Sequence, residues 1–217
     1  MAIMDKETTD ETRKRLEALE AEVKLVFFKE TLLCRTCGPA EDFLREICAL
    51  SSKVKLEIYN RVTDVEKAAE YGVTLTPAAV LEGPKGRRVR FYGIPAGYEL
   101  VSLLEGLKNS AAASVELSKE TLEALAAVVS PVNIKVFVTP TCPYCPAAVV
   151  LAHKFALASP KITAEMIEST EFPELVRKYG VEGVPRTIVN DKIDLVGLQP
   201  EQMLLKAVLE SAAGGRA

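Results

Sequence analysis

Four of the five cysteines form two Cys-x-x-Cys pairs, Cys34/Cys37 and Cys142/Cys145, leaving Cys48 over. Residues three apart lie within one helical turn, so each pair can form, break and re-form a disulfide. Two chemistries use such pairs: thiol–disulfide exchange and tetrahedral metal binding. Zinc ribbons space their pairs by about 15–20 residues. Here the first cysteines of the two pairs stand 108 positions apart, which favours exchange and leaves a structural zinc or interaction module as the non-enzymatic alternative. No metal ligand set and no cofactor is expected. His153 is the single histidine. It lies mid-helix without a His partner, so it is expected at the surface or its boundary, and Cys–His catalysis is not expected. Cys48 shares an apolar helix face with Phe43, Leu44 and Ile47 and is expected to fill core space.

The cysteine spacing is part of a repeat. The same 108-residue offset carries Tyr71-Gly72-Val73 onto Tyr179-Gly180-Val181 and Pro77 onto Pro185. Each proline follows the second cysteine of its pair by 40 positions. Leu16-Glu17-Ala18-Leu19 recurs as Leu122-Glu123-Ala124-Leu125 at offset 106, the kind of drift that loop insertions produce. At roughly 150 residues per domain, 217 residues accommodate two small domains. The division expected is 1–112 and 113–217, with a linker over Asn109 to Leu117, which is rich in Ala and Ser.

Periodicity places elements around each pair. In the first half, helices are expected over Thr9–Glu22, Cys37–Leu50, Val65–Tyr71 and Tyr98–Lys108. Strands are expected over Val23–Phe28, Val54–Tyr59, Pro77–Leu81 and Arg88–Phe91, the last two joined by Gly83-Pro84-Lys85-Gly86. The second half repeats the order. Its helices are Ser118–Val129, one from the Cys pair to Ala158, Phe172–Tyr179 and Pro200–Leu209. Its strands are Ile134–Val138, Ile162–Ile167, Thr187–Val189 and Ile193–Val196, the last two around Asn190-Asp191. The order αβαβαββα predicts an α/β fold, a sheet covered by helices.

A strand ends, the chain turns, and a helix opens at each Cys pair. The first sulfur therefore faces unpaired N–H groups and the positive end of the helix dipole. Thiols in such settings titrate at roughly 3.5–7.5, against about 8.5 for a free Cys. Cys34 and Cys142 are thus expected to attack, and Cys37 and Cys145 to resolve. Pro143 and Pro146 hold helix-entry φ values, and Arg35 adds positive charge beside Cys34.

Bulk properties narrow the partners. A net charge of −3 from 27 basic and 30 acidic residues offers no basic face for nucleic acid. No apolar run reaches the roughly 20 residues of a membrane span. The charged stretch from Asp5 to Arg15 contains no signal-like apolar segment, and a cytoplasmic location is expected.

Strand, Cys-x-x-Cys, helix, and a later proline at the head of a strand together resemble the thioredoxin/glutaredoxin pattern. Cys142-Pro143-Tyr144-Cys145 is similar to the glutaredoxin tetrapeptide, and Val184-Pro185-Arg186 to the glutaredoxin proline segment. The two-unit arrangement resembles the protein disulfide oxidoreductases of thermophilic archaea and bacteria over nearly the whole chain. The resemblance implies two tandem thioredoxin-like folds, each a central mixed β-sheet flanked by helices. It implies cis prolines at Pro77 and Pro185, with Thr76 and Val184 offering backbone groups to an extended peptide. Tyr144, between the second pair, either faces the substrate or only spaces the motif. It implies exchange with protein disulfides or dithiols, with the second site the more active. An electron relay from a thioredoxin-reductase-like flavoprotein to a peroxiredoxin is the alternative. Thr139 replaces the usual glutaredoxin Lys, and Val196-Gly197 supplies one glycine of the usual two, which argues against glutathione. Thioredoxins keep a buried Asp on the strand before the site; the resemblance makes Glu30 the candidate proton carrier of the first unit, and the second unit has no counterpart.

Overall fold

The computed structural model describes residues 3–213. Two compact units emerge. One takes the residues through Ile94 together with Leu104–Ala113, the other Pro95–Leu103 together with the residues from Ser114 onward.

In the first half the elements run α1 (Lys6–Glu17), β1 (Val23–Lys29), α2 (Cys37–Ala49), β2 (Val54–Asn60), α3 (Val65–Tyr71), β3 (Ala78–Glu82), β4 (Arg88–Tyr92) and α4 (Glu99–Ala111). β1 pairs parallel with β2 and antiparallel with β3, and β3 pairs antiparallel with β4. The second half repeats this with α5 (Lys119–Ala126), β5 (Val132–Val138), α6 (Cys145–Ala158), β6 (Ile162–Glu168), α7 (Pro173–Tyr179), β7 (Arg186–Val189), β8 (Ile193–Val196) and α8 (Glu201–Ala213). β5 is parallel to β6 and antiparallel to β7, which pairs antiparallel with β8. The strand preceding each Cys pair is thus an inner strand of a mixed sheet. Leu25, Val26, Phe27 and Phe28 are all buried. Successive side chains point to opposite faces, so both faces of β1 are covered. Phe137 and Val138 end β5 in the same way.

The shared Tyr-Gly-Val has a backbone cause. Gly72 and Gly180 stop α3 and α7 at φ 62° and 60°, a left-handed conformation that favours glycine. The following valine N–H reaches back to close the helix, Val73 to the Ala68 carbonyl at 2.8 Å and Val181 to the Val176 carbonyl at 3.0 Å. The tyrosines pack, Tyr71 against Phe28 and Tyr179 against Phe137. Asn190 and Asp191 both take positive φ at the centre of the β7–β8 turn, which the Lys192 N–H closes on the Val189 carbonyl at 3.1 Å; Asn and Asp tolerate this left-handed conformation better than most residues.

Several boundaries differ from the sequence reading. α1 begins at Lys6 because the Asp5 carboxylate caps the Thr8 N–H at 2.8 Å, and it ends at Glu17. α4 continues through Asn109 and Ser110, which are buried; the Ala- and Ser-rich stretch joins the helix because Ala is the best helix former. This end of α4 packs so closely on the first hairpin that a Cβ on Gly83 would lie 1.8 Å from the Ser110 carbonyl oxygen. His153 is buried at 1% exposure, not at a boundary. α6 buries residues around most of its circumference, from Cys145 to Ala156, and His153 falls on the enclosed part.

Glu99 opens α4 fully buried. The Ser102 hydroxyl donates to one carboxylate oxygen, and the other has no hydrogen-bond partner. Burial pushes this carboxyl up to about 7 from an ordinary 4.5, against a smaller opposing effect of Ser102. Between those values the folded chain keeps a proton that the unfolded chain has released, so stability falls as pH rises across that window. Glu99→Gln is expected to be more stable than the parent at pH 8, by on the order of 2 kcal/mol, and equal to it at pH 4.5. Urea unfolding at the two pH values checks this; equal stability at pH 8 would contradict it.

Candidate functional site

Each Cys pair sits where an inner strand hands over to a helix. Cys34 follows β1 in the loop, and Cys37 is the first residue of α2; Cys142 follows β5, and Cys145 is the first residue of α6. Both pairs are disulfide-bonded, with Cα separations of 5.4 and 5.5 Å. In each pair the leading residue is the more open. Cys34 is half-buried and Cys37 is 3% exposed; Cys142 keeps 8% and Cys145 none. The Glu30 backbone N–H points at the Cys37 sulfur at 3.4 Å.

The electrostatics of these two helix starts are distinctive. Six of the eight helices among the described residues carry an acidic residue in the first turn: Glu7, Glu66, Glu99, Glu120, Glu174 and Glu201. α2 and α6 carry none, and neither Thr36 nor Tyr144 caps its helix through its side chain. The positive end of the dipole is thus left to the sulfurs, and a thiolate there is favoured over a thiol.

The matched prolines lead β3 and β7, and both Thr76–Pro77 and Val184–Pro185 are cis. Each proline carbonyl accepts a glycine N–H from beyond the partner strand, Gly93 at 3.0 Å and Gly197 at 2.8 Å. Pro77 and Pro185 are buried; Thr76 and Val184 are half-buried. Tyr144, between the second pair, is 66% exposed. Arg35 is exposed. The Glu30 carboxylate is engaged by Arg61, which occupies the acid read as a candidate proton carrier.

Two features were not singled out in the sequence. The second Cys loop is braced from Gly97 and Tyr98: the Tyr98 N–H donates to the Pro140 carbonyl at 3.0 Å, and a Cβ on Gly97 would lie 2.4 Å from that same oxygen. Its signal was Gly97, an unexplained glycine ahead of a helix. Beside the first pair, Leu32 and Leu33 are 91% and 89% exposed. Two adjacent leucines in a loop were the available signal there.

A thioredoxin-domain family model matches residues 21–105 and again 132–210, one match per Cys pair. The chain belongs to the thioredoxin-domain family. With a Cys-x-x-Cys pair on each of two such domains, it is a tandem thioredoxin-fold thiol–disulfide oxidoreductase. A protein disulfide oxidoreductase from Aeropyrum pernix is 31% identical, covering 99% of this chain and 96% of its own, with a TM-score of 0.91. A thioredoxin of Methanocaldococcus jannaschii is 31% identical over 80 residues, which is 36% of this chain and 94% of the relative. The NTD_N/C domain of the alkylhydroperoxide reductase AhpF from Enterococcus faecalis is 25% identical, covering 94% of this chain and 99% of its own, with a TM-score of 0.87.

Among the described residues no group of three or more His, Cys, Asp or Glu side chains converges as a metal site. No helix among them is long and apolar enough to cross a membrane. Cys48, at the inner side of α2, is half-buried, and burial pushes its thiol up to about 12. At pH 8 that thiol is almost wholly protonated. After mild reduction, iodoacetamide at pH 8 is therefore expected to label the pair cysteines of the native protein and spare Cys48, which should react only in denaturant. Mass mapping of the adducts reads the order; early labelling of Cys48 would contradict it.

Proposed function

We propose that the chain exchanges disulfides with protein clients at two sites, with Cys34 and Cys142 attacking and Cys37 and Cys145 resolving. The observation that carries this reading is the gradient of openness within each pair, set on the two helices whose first turns lack acid. In the reducing direction the thiolate of the first Cys attacks a client disulfide. An enzyme–client S–S bond forms, and the client's other sulfur leaves as a thiolate and takes up a proton. The second Cys then attacks the first, closing the enzyme disulfide and releasing the remaining client thiol. Two electrons pass from the enzyme dithiol to the client, and an external dithiol restores the enzyme. Run backwards, the same steps oxidise a client dithiol or, with repeated attack, reshuffle pairings.

Thr76-Pro77 and Val184-Pro185 would align an extended client segment at each site, and exposed Tyr144 would touch it at the second. The second site is proposed as the main turnover site: its loop is stiffened by Pro143 and Pro146 and braced at Pro140, so its attacking sulfur is held in place before the client arrives. The setting proposed is the cytoplasm, where pairs of this kind are exchanged rather than kept as fixed cross-links. A relay role is supported by the likeness to a domain of the alkylhydroperoxide reductase AhpF: a thioredoxin-reductase-like flavoprotein would supply the electrons and a peroxiredoxin would accept them.

Replacing Cys142 and Cys145 together by Ser is expected to remove most of the insulin-disulfide reduction supported by dithiothreitol. The Cys34→Ser, Cys37→Ser variant should keep most of it. The reverse pattern would transfer the main turnover to the first site, and full activity with all four replaced would overturn the reading altogether.

A further inference from the structure

The two sites differ most in the ground a client must cross to reach them. Before Cys34 the chain reads Thr31-Leu32-Leu33; before Cys142, at the same offset, it reads Thr139-Pro140-Thr141. The facing loop after β2 reads Val62-Thr63, against Thr170-Glu171 after β6. Leu32, Leu33 and Val62 are 91%, 89% and 59% exposed. Together with Glu30, Thr31, Asn60 and Thr63 they line a groove of about 430 Å³, within the ~300–1,000 Å³ range of pockets that hold compact apolar ligands. At the second site, Thr141 and Thr170 are exposed and the buried Glu168 carboxylate is taken up by Thr170 and the Glu171 N–H.

The groove is preformed. Asn60 ties its two walls, donating to the Thr31 hydroxyl at 3.1 Å and accepting from the Val62 N–H at 2.9 Å. Arg61 neutralises Glu30, which is part of its lining. Two leucines and a valine held open to water beside a reactive sulfur cost free energy unless something covers them. Whatever joins Cys34 through its own sulfur must lay its neighbouring residues along Leu33, the residue adjoining Cys34 in the chain. The occupant is therefore fixed by the chemistry of the site: the segment that flanks the client's cysteine.

We propose that the first site selects clients whose reacting cysteine is flanked by large apolar side chains, the kind of segment exposed in an unfolded polypeptide, and that Leu32 and Leu33 set this preference. The inference rests on thiol–disulfide exchange at Cys34. Its chemistry is the exchange already written, Cys34 forming the mixed disulfide and Cys37 releasing the client as a thiol.

The test uses the full chain carrying Cys142→Ser and Cys145→Ser, with dithiothreitol as reductant. The probes are a peptide disulfide whose cysteine is flanked by leucines, the same peptide with serines there, and hydroxyethyl disulfide, which has no flanks. The Leu-flanked peptide is expected to be reduced with about tenfold higher kcat/KM than the Ser-flanked one, mostly through KM. Adding Leu32→Ser and Leu33→Ser should bring that ratio close to one. A ratio near one in the parent, or a preference that survives the leucine replacements, would overturn the inference while reduction of hydroxyethyl disulfide leaves the exchange reading intact. Failure to reduce any of the three probes would sink exchange at Cys34 and this inference with it.

Discussion

The positive end of a helix, kept free of carboxylates and given to a sulfur, is the interaction on which the rest of this structure depends. Helices commonly set an acidic side chain in the first turn, where it is worth about 0.3–1 kcal/mol, and six helices here do so. α2 and α6 forgo it. A thiolate that takes the acid's place is stabilised in the reduced state, and stabilising the reduced dithiol makes a pair the stronger oxidant. The same device is built twice, on equivalent inner strands, so its cost and its benefit appear in both halves.

Around that interaction each layer has a definable job. Parallel and antiparallel pairing on either side buries the strand that carries the Cys loop, and the buried residues near its C-terminal end, Phe27 and Phe28 in β1 and Phe137 and Val138 in β5, give the loop a fixed origin. The second sulfur begins the helix and is buried by the helix packing. The first Cys lies in the loop ahead of the helix and stays the more open residue of the two. The cis prolines and the glycine N–H bonds to their carbonyls fix a second backbone segment at the head of β3 and of β7. Differences between the halves lie at the rim: leucines beside the first pair, prolines, threonines and a brace from Tyr98 beside the second.

Much of this was legible in the residues because each signal had a backbone cause. Tyr-Gly-Val marks a left-handed helix stop, Asn-Asp a tight hairpin, and Cys-x-x-Cys after an apolar run a strand-to-helix turn. The 108-residue offset worked because it tied these together in one register. What escaped depended on neighbours distant in sequence. His153 reads as polar, yet α6 is enclosed on most sides. Asn109 and Ser110 read as linker, yet they pack where Gly83 leaves room. Glu30 reads as a candidate proton carrier, yet Arg61, on a different loop, holds it. The leucines before Cys34 have no periodicity to announce them, and only their exposure shows that they are not core.

The central claim is that openness assigns the roles within each pair, and trapping of the covalent intermediate tests it most directly. In a chain with one pair intact, replacing the second Cys by Ser (Cys37→Ser or Cys145→Ser) should leave the reduced enzyme attached to an insulin chain through the first Cys. That adduct should persist through non-reducing electrophoresis and disappear with dithiothreitol. Replacing the first Cys instead (Cys34→Ser or Cys142→Ser) should give little or no adduct. Equal adducts from both kinds of variant, or adducts only through Cys37 and Cys145, would contradict the account.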